Sequence, residues 1–224
     1  MVPHIVQLVR PGSVVDIGCG LGAWLSVFGE HGVSELLGVD GDDVPRDQLM
    51  IPPACFLAAD LSTPLHLDRT FDLACSLEVP EHLPPGAAET FVETLSRLAP
   101  VVVFSAAIPM QGGTGHVNEQ WQTYWARLFS ARGFVAADAL RPVFWLDQRV
   151  EWWYRQNTIV YAQQDRLGEY PALGEARGRT SESMLDVVHP SLLAKRNRKP
   201  IRPLPPATVM QSWIRAGRKV VRRT

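Results

Sequence analysis

Val14-Val15-Asp16-Ile17-Gly18-Cys19-Gly20-Leu21-Gly22-Ala23-Trp24 decides how the rest of this chain is read. A short apolar run marks a buried strand, and three alternate glycines follow it directly. Helical spacing then sets in with Trp24, Leu25 and Phe28. Strand, glycine turn and helix form a layout in which backbone can press against a nucleotide-like ligand, because no Cβ stands in the way. The helix start adds unpaired N–H groups facing the same space. A tight strand-to-helix turn without a ligand would need no more than the glycines, so the downstream residues have to decide.

A chain of 224 residues buries a full core and predicts one domain with an appendage. Its hydrophobic share of 46% and charged share of 20% are those of an ordinary globular protein. The opening MVPHIVQLVRPG has no basic start or long apolar core, so no secretory leader is expected and a cytoplasmic location is. Val101 to Met110 is the longest apolar run, too short for a bilayer. Cys19, Cys55 and Cys75 are odd in number, widely spaced and apolar in context, which predicts reduced, packed thiols. The net charge of −1 hides an asymmetry. Ten Lys/Arg and no Asp/Glu lie from Lys195 onward, leaving 12 basic against 23 acidic residues elsewhere.

Read in order, residues 2–9 predict a helix stopped by Pro11-Gly12. Strands are predicted at 13–18, 35–40, 55–59, 71–77, 101–105, 134–139 and 158–162, with helices at about 23–30, 87–98 and 119–131 and a last turn at 151–156. The alternation predicts an α/β fold: a Rossmann-like, doubly wound sheet of about seven strands, mostly parallel, with an antiparallel last strand and a basic C-terminal extension. Ligands of such sheets bind outside the carboxyl ends of the strands. Asp16, Asp40, Asp60 and Glu78 all fall at or near those ends. The core domain is expected over 1–164. Residues 165–206, rich in Pro, Gly and polar residues, predict a linker or wrapped arm, and 207–224 a basic amphipathic tail helix.

Gly18-x-Gly20-x-x-Ala23 satisfies the dinucleotide fingerprint, and Asp40 lies where a ribose-binding acid is expected. A nicotinamide dehydrogenase is therefore a competitor on these residues alone. Asp16 before the first glycine and Gly22 as the third alternate glycine suit an amino-acid carboxylate and amine better than a pyrophosphate.

With VVDIGCGLG, GVDGD, AADL and FDLACSLEVPEHLP in this order and at roughly this spacing, residues 5–163 resemble the class I S-adenosylmethionine (SAM)-dependent methyltransferases. The resemblance implies that Gly18, Gly20 and Gly22 lie under the methionine part of SAM, with Asp16 orienting the loop and the amine. It implies that Asp40 holds the ribose hydroxyls as a two-acceptor carboxylate. Asp60 would accept from the adenine amino group, with Leu61 beside it. Gly41 and Ser76, in the second and fourth motifs, are counted at the cofactor with them.

The sulfonium methyl is already activated, so the protein must align an acceptor and remove its proton. Glu78, Glu81 and His82 stand at i, i+3 and i+4, one face of a helical turn, and His116 follows in a glycine-rich loop. Two carboxylates with two imidazoles can chelate a divalent ion such as Mg²⁺, Mn²⁺, Fe²⁺ or Zn²⁺, which would acidify an acceptor hydroxyl. The E-x-x-E-H string followed by His resembles the metal site of the ubiquinone-pathway O-methyltransferases and of the small-RNA terminal 2′-O-methyltransferases. That resemblance implies Glu78, Glu81, His82 and His116 as ligands, with Pro80 inside the string as a departure. Without a metal, Glu81-His82 reduces to a cap and packing feature, and His116 acts directly as general base.

GGTGHVNEQW, with WWYRQN further on, also resembles a small group of bacterial methyltransferases. Asn118, Gln120 and Trp121 offer amides and an aromatic face for a sugar or polyol, whereas Trp125 and Phe129 read as a helix's core stripe. Trp145, Trp152, Trp153 and Tyr154 either close that pocket or pack, and Arg155-Gln156-Asn157 is expected to satisfy backbone near the last strands. The basic tail suits a membrane surface or an acidic partner. Nucleic-acid contact is the other option, and a solvated tail the plainest. The sum is an O-methyltransferase of a small hydroxylated or glycosidic metabolite. An RNA-end ribose methyltransferase and a non-catalytic SAM-binding module are the alternatives.

Overall fold

The computed structural model describes residues 1–197, so the tail helix expected at 207–224 lies outside the described residues, as does 198–206. Met1–His189 forms one compact unit, and a second unit begins at Pro190. In order, the first contains α1 (Val2–Val9), β1 (Ser13–Ile17), α2 (Ala23–Glu30), β2 (Glu35–Asp40), β3 (Phe56–Ala58), β4 (Leu73–Leu77), α3 (Ala88–Leu98), β5 (Val101–Ser105), α4 (Gln122–Ser130), β6 (Phe134–Ala137), α5 (Arg141–Phe144), α6 (Trp152–Asn157), β7 (Ile159–Gln163) and α7 (Pro171–Arg179). The described part of the second is α8 (Pro190–Asn197).

The strands make one seven-stranded sheet in the order β3-β2-β1-β4-β5-β7-β6. β1 to β5 pair in parallel, and β7 runs antiparallel to both β5 and β6. Alternation along the strands divides the core into two layers. Val102 and Phe104 of β5 join Phe91, Leu95, Trp125 and Phe129 on one face. Val101 and Val103 join Ile5, Leu25 and Phe28 on the other. Trp125 and Phe129 are core, as their spacing predicts, and Phe129 stacks on Tyr161 with centroids 4.0 Å apart. All three cysteines are free thiols, with Cys19 and Cys75 buried.

The stretch from 165 to 189 is packed more closely than a linker. Leu173 and Leu185 are buried in the two core layers. Asp186 accepts from the Thr123 N–H at 2.8 Å, at the start of α4. Arg141, 4% exposed, pairs with Asp138 and donates to the Leu185 carbonyl at 2.7 Å. Side-chain hydrogen bonds and the two buried leucines together hold this stretch. Among the described residues no helix is long and apolar enough to cross a membrane.

Candidate active site

The carboxyl ends of β1, β2 and β4 open on a cleft of ≈ 780 Å³, a volume in the range of small-ligand pockets. Gly18, Gly20, Asp40, Gly41, Asp42, Asp60, Leu61, Glu78, Val79, His82 and Leu83 line it. Gly18, Gly20 and Gly22 have φ of 85°, 53° and 81°. At Gly18 the need for glycine is double, since a Cβ there would also run into the Val79 side chain. The loop is tied to Asp40: the Gly20 N–H donates to one carboxylate oxygen at 2.6 Å and the Gly41 N–H to the other at 2.7 Å. Two charge-assisted bonds fix that side chain at the cleft wall and leave each oxygen a free lone pair.

Asp60 is exposed and held by the Ser62 hydroxyl and N–H, which keep its pKa below the usual value. Asp16 is 1% exposed, and its Oδ2 has no hydrogen-bond partner. Burial first, and the charge of Asp40 second, push its pKa up to about 7. Gly22 is the N-cap residue of α2, and a Cβ there would run into the Ile51 side chain. Ser76, expected at the cofactor, is fully buried inside β4 and does not reach the cleft wall. The fourth motif brings only its later residues, Glu78 onward, to the sheet edge.

Beyond β4 the chain enters a short 3-10 turn, Pro80–His82, followed across space by the loop after β5. Glu81, His82 and His116 each offer one ligand atom within 4.8 Å of the others. Glu81 is 0% exposed, and neither carboxylate oxygen has a hydrogen-bond partner. Burial first, and then the Glu78 charge, push its pKa up to about 8. Peptide N–H groups of Glu81 and Ala107 temper that rise, and the neighbouring Glu78 carboxyl group adds to it. A buried carboxylate with no partner, beside two imidazoles, has the donor set a divalent cation requires.

Glu78 is engaged differently from the other three residues of the string. Its backbone has φ 57°, a left-handed conformation unusual for a non-glycine residue. One carboxylate oxygen accepts from Asn157 Nδ2 at 3.0 Å and the other from Gln111 Nε2 at 2.9 Å. Gln156 Nε2 in turn donates to Gln111 Oε1 and Asn157 Oδ1, and the His189 N–H donates to Gln156 Oε1. Gln111, Gln156 and Asn157 are all buried. WWYRQN contributes Gln156 and Asn157 to this network, and it also satisfies backbone as expected: Arg155 Nη1 donates to the Trp145 carbonyl and Gln156 Oε1 accepts from the His189 N–H.

Asn118 is 2% exposed; its side chain donates to the Pro80 carbonyl and accepts from Gln120 Nε2. Asn118 thus fastens the loop to the turn bearing Glu81. Trp121 is the N-cap residue of α4 and 38% exposed. Tyr154 packs edge-on against Trp24, with centroids 5.3 Å apart.

This sheet order, glycine loop and acidic edge define a class I SAM-dependent methyltransferase. Residues 4–145 match the family described as a methyltransferase domain, and the chain belongs to that family. Comparison with curated proteins finds no match. Among solved structures, the sugar N-methyltransferase KedS8 from Streptoalloteichus sp ATCC 53650 superposes with a TM-score of 0.56. It is 17% identical, over 73% of this chain and 85% of that one. The magnesium protoporphyrin IX methyltransferase ChlM from Synechocystis PCC 6803, with bound SAH, gives 0.52 at 19% identity, over 71% and 79%. The methyltransferase domain of bacterial CtHen1 gives 0.51 at 18%, over 71% and 93%. At these identities the likeness is one of fold.

Proposed function

We propose that this chain methylates a hydroxyl of a small metabolite, sugar or glycoside, with SAM as donor and a divalent ion held by Glu81, His82 and His116. The observation that carries the reading is the buried, partnerless carboxylate of Glu81 beside two imidazoles, at the rim of the donor cleft.

When bound, SAM supplies a methyl group already activated by its sulfonium. In this reading Asp40, fixed by Gly20 and Gly41, accepts from the ribose hydroxyls. Asp60, fixed by Ser62, accepts from the adenine amino group, with Leu61 beside the ring. Asp16 answers the donor's ammonium group, a cation that suits its buried oxygen. A divalent ion on Glu81, His82 and His116 would supply acidification of the acceptor hydroxyl at neutral pH. Gln120 and Trp121 orient the acceptor at the rim. Where no metal enters, His116 takes the hydroxyl proton directly.

The wall of the cleft carries Asp40, Asp42, Asp60 and Glu78 and no Lys or Arg. That charge favours a neutral or cationic acceptor over a phosphodiester, which weighs against the RNA-end alternative. The basic segment from Lys195 is proposed to meet an anionic membrane surface or an acidic partner.

The test is incubation with isotopically labelled SAM and fractionated cell extract, with and without EDTA, followed by mass identification of the product. O-methylation that EDTA removes and Mn²⁺ restores is the expected result. A methyl on nitrogen, or full activity in EDTA, would overturn the acceptor or the metal assignment respectively. SAM binding without any turnover would leave a binding module.

A further inference from the structure

The geometry points to Glu119 as a positioning residue that aims His116 at the cation, an inference that rests on the metal reading above. Glu119 Oε1 lies 2.9 Å from His116 Nδ1. A carboxylate can only accept, so Nδ1 carries the proton and Nε2 keeps its lone pair. Carboxylate-to-imidazole pairs of this kind fix the tautomer and ring orientation of metal-binding histidines.

The same carboxylate organises the loop around the ring. Oε1 also accepts from the Gly112 N–H at 2.6 Å, and Oε2 accepts from the Met110 N–H at 2.8 Å. At the other end, the Val117 and Asn118 N–H groups donate to the Glu81 carbonyl at 2.8 and 3.1 Å. His116 is therefore pinned between Glu119 and the turn that bears Glu81. Gly113 completes the arrangement, since a Cβ there would overlap His116 Nε2. Both side chains are largely buried, at 13% and 19% exposure, so the bond is sheltered from competing water.

The experiment uses the full chain and Mn²⁺ as probe, followed by electron paramagnetic resonance, with SAH binding by calorimetry as control. Glu119→Ala should lower Mn²⁺ affinity about 10–100-fold, the range for losing such a partner, and leave SAH affinity unchanged. Glu119→Gln, which keeps an acceptor for the loop but not the charge, should fall between. Nitrogen-15 spectra of the metal-free wild-type chain should show His116 protonated at Nδ1, and the Ala variant should lose that single tautomer. Wild-type-like Mn²⁺ affinity in Glu119→Ala would overturn the inference alone, as would a wild-type His116 protonated at Nε2. Equal loss of SAH and Mn²⁺ binding would also overturn it, by showing that Glu119 holds the fold. Failure of the wild-type chain to bind Mn²⁺ would overturn the metal reading, and this inference with it.

Discussion

The two sides of the cleft are built on different principles. On the β1–β3 side, backbone does most of the positioning: a glycine loop, parallel strand ends and peptide N–H groups on Asp40. On the β5–β7 side, side chains hold side chains, through Gln111, Gln156 and Asn157 around Glu78 and through Glu119 on His116. The first arrangement suits a constant ligand shared by a whole family. The second can be altered residue by residue, as acceptor recognition requires.

Asp40→Ala should produce the largest break, and it should fall on donor binding alone. The variant removes the acceptor of two peptide N–H groups and the proposed partner of the ribose. Two charge-assisted bonds at about 1.5–3 kcal/mol each predict a loss of SAH affinity of roughly 100-fold or more. Calorimetry with SAH measures it, and Mn²⁺ affinity should hold steady. An affinity within threefold of wild type would dismantle the donor side of the comparison.

Asn157→Leu tests the opposite side. It strips Glu78 of one amide and leaves Gln156 Nε2 without one of its acceptors, all in buried surroundings. Unsatisfied buried polar groups predict a loss of about 2–3 kcal/mol, or roughly 4–12 °C in melting temperature for a domain of this size. SAH affinity should stay within about threefold. Should SAH binding collapse in parallel with stability, the two sides would be one cooperative unit and the comparison would fail.

That contrast also explains which parts of the site are legible in sequence. Asp40 stands 20 residues from Gly20 and in a strand paired directly with β1, so spacing and the parallel rule locate it. Asn157 meets Glu78 across 79 residues, and no local pattern announces an amide that travels so far. The E-x-x-E-H string brings Glu81 and His82 together with His116, but spacing alone does not reveal the two amides that hold Glu78. Glu119 carried a usable signal, the three-residue spacing from His116, obscured by reading the run as an acceptor pocket. Composition leaves residues 165–189 open between a linker and a wrapped arm, because their anchors, Asp186 and the backbone around Leu185, act through polar bonds.

The smallest expected effect is a pH dependence that tells the two sides apart. Asp16 on the donor side and Glu81 on the other are both buried acids, with pKa values pushed up to about 7 and about 8. For Asp16 the folded value lies above the ordinary carboxylate value. The folded, ligand-free chain therefore keeps a proton that the unfolded chain has lost between about pH 4 and 7. Its contribution makes stability fall as pH rises through that window, by at most about 1.4 kcal/mol per pH unit, and level off above it. A bound ammonium favours the ionised form, so SAM or SAH binding should expel that proton. Affinity for either should then be full above pH 7 and weaken by up to about tenfold between pH 7 and 6. Asp16→Asn should flatten this profile while leaving the pH dependence of Mn²⁺ affinity in place. Calorimetry in buffers of differing ionisation enthalpy counts the protons released. A flat SAH profile in the wild-type chain would mean that Asp16 does not answer the donor's amine.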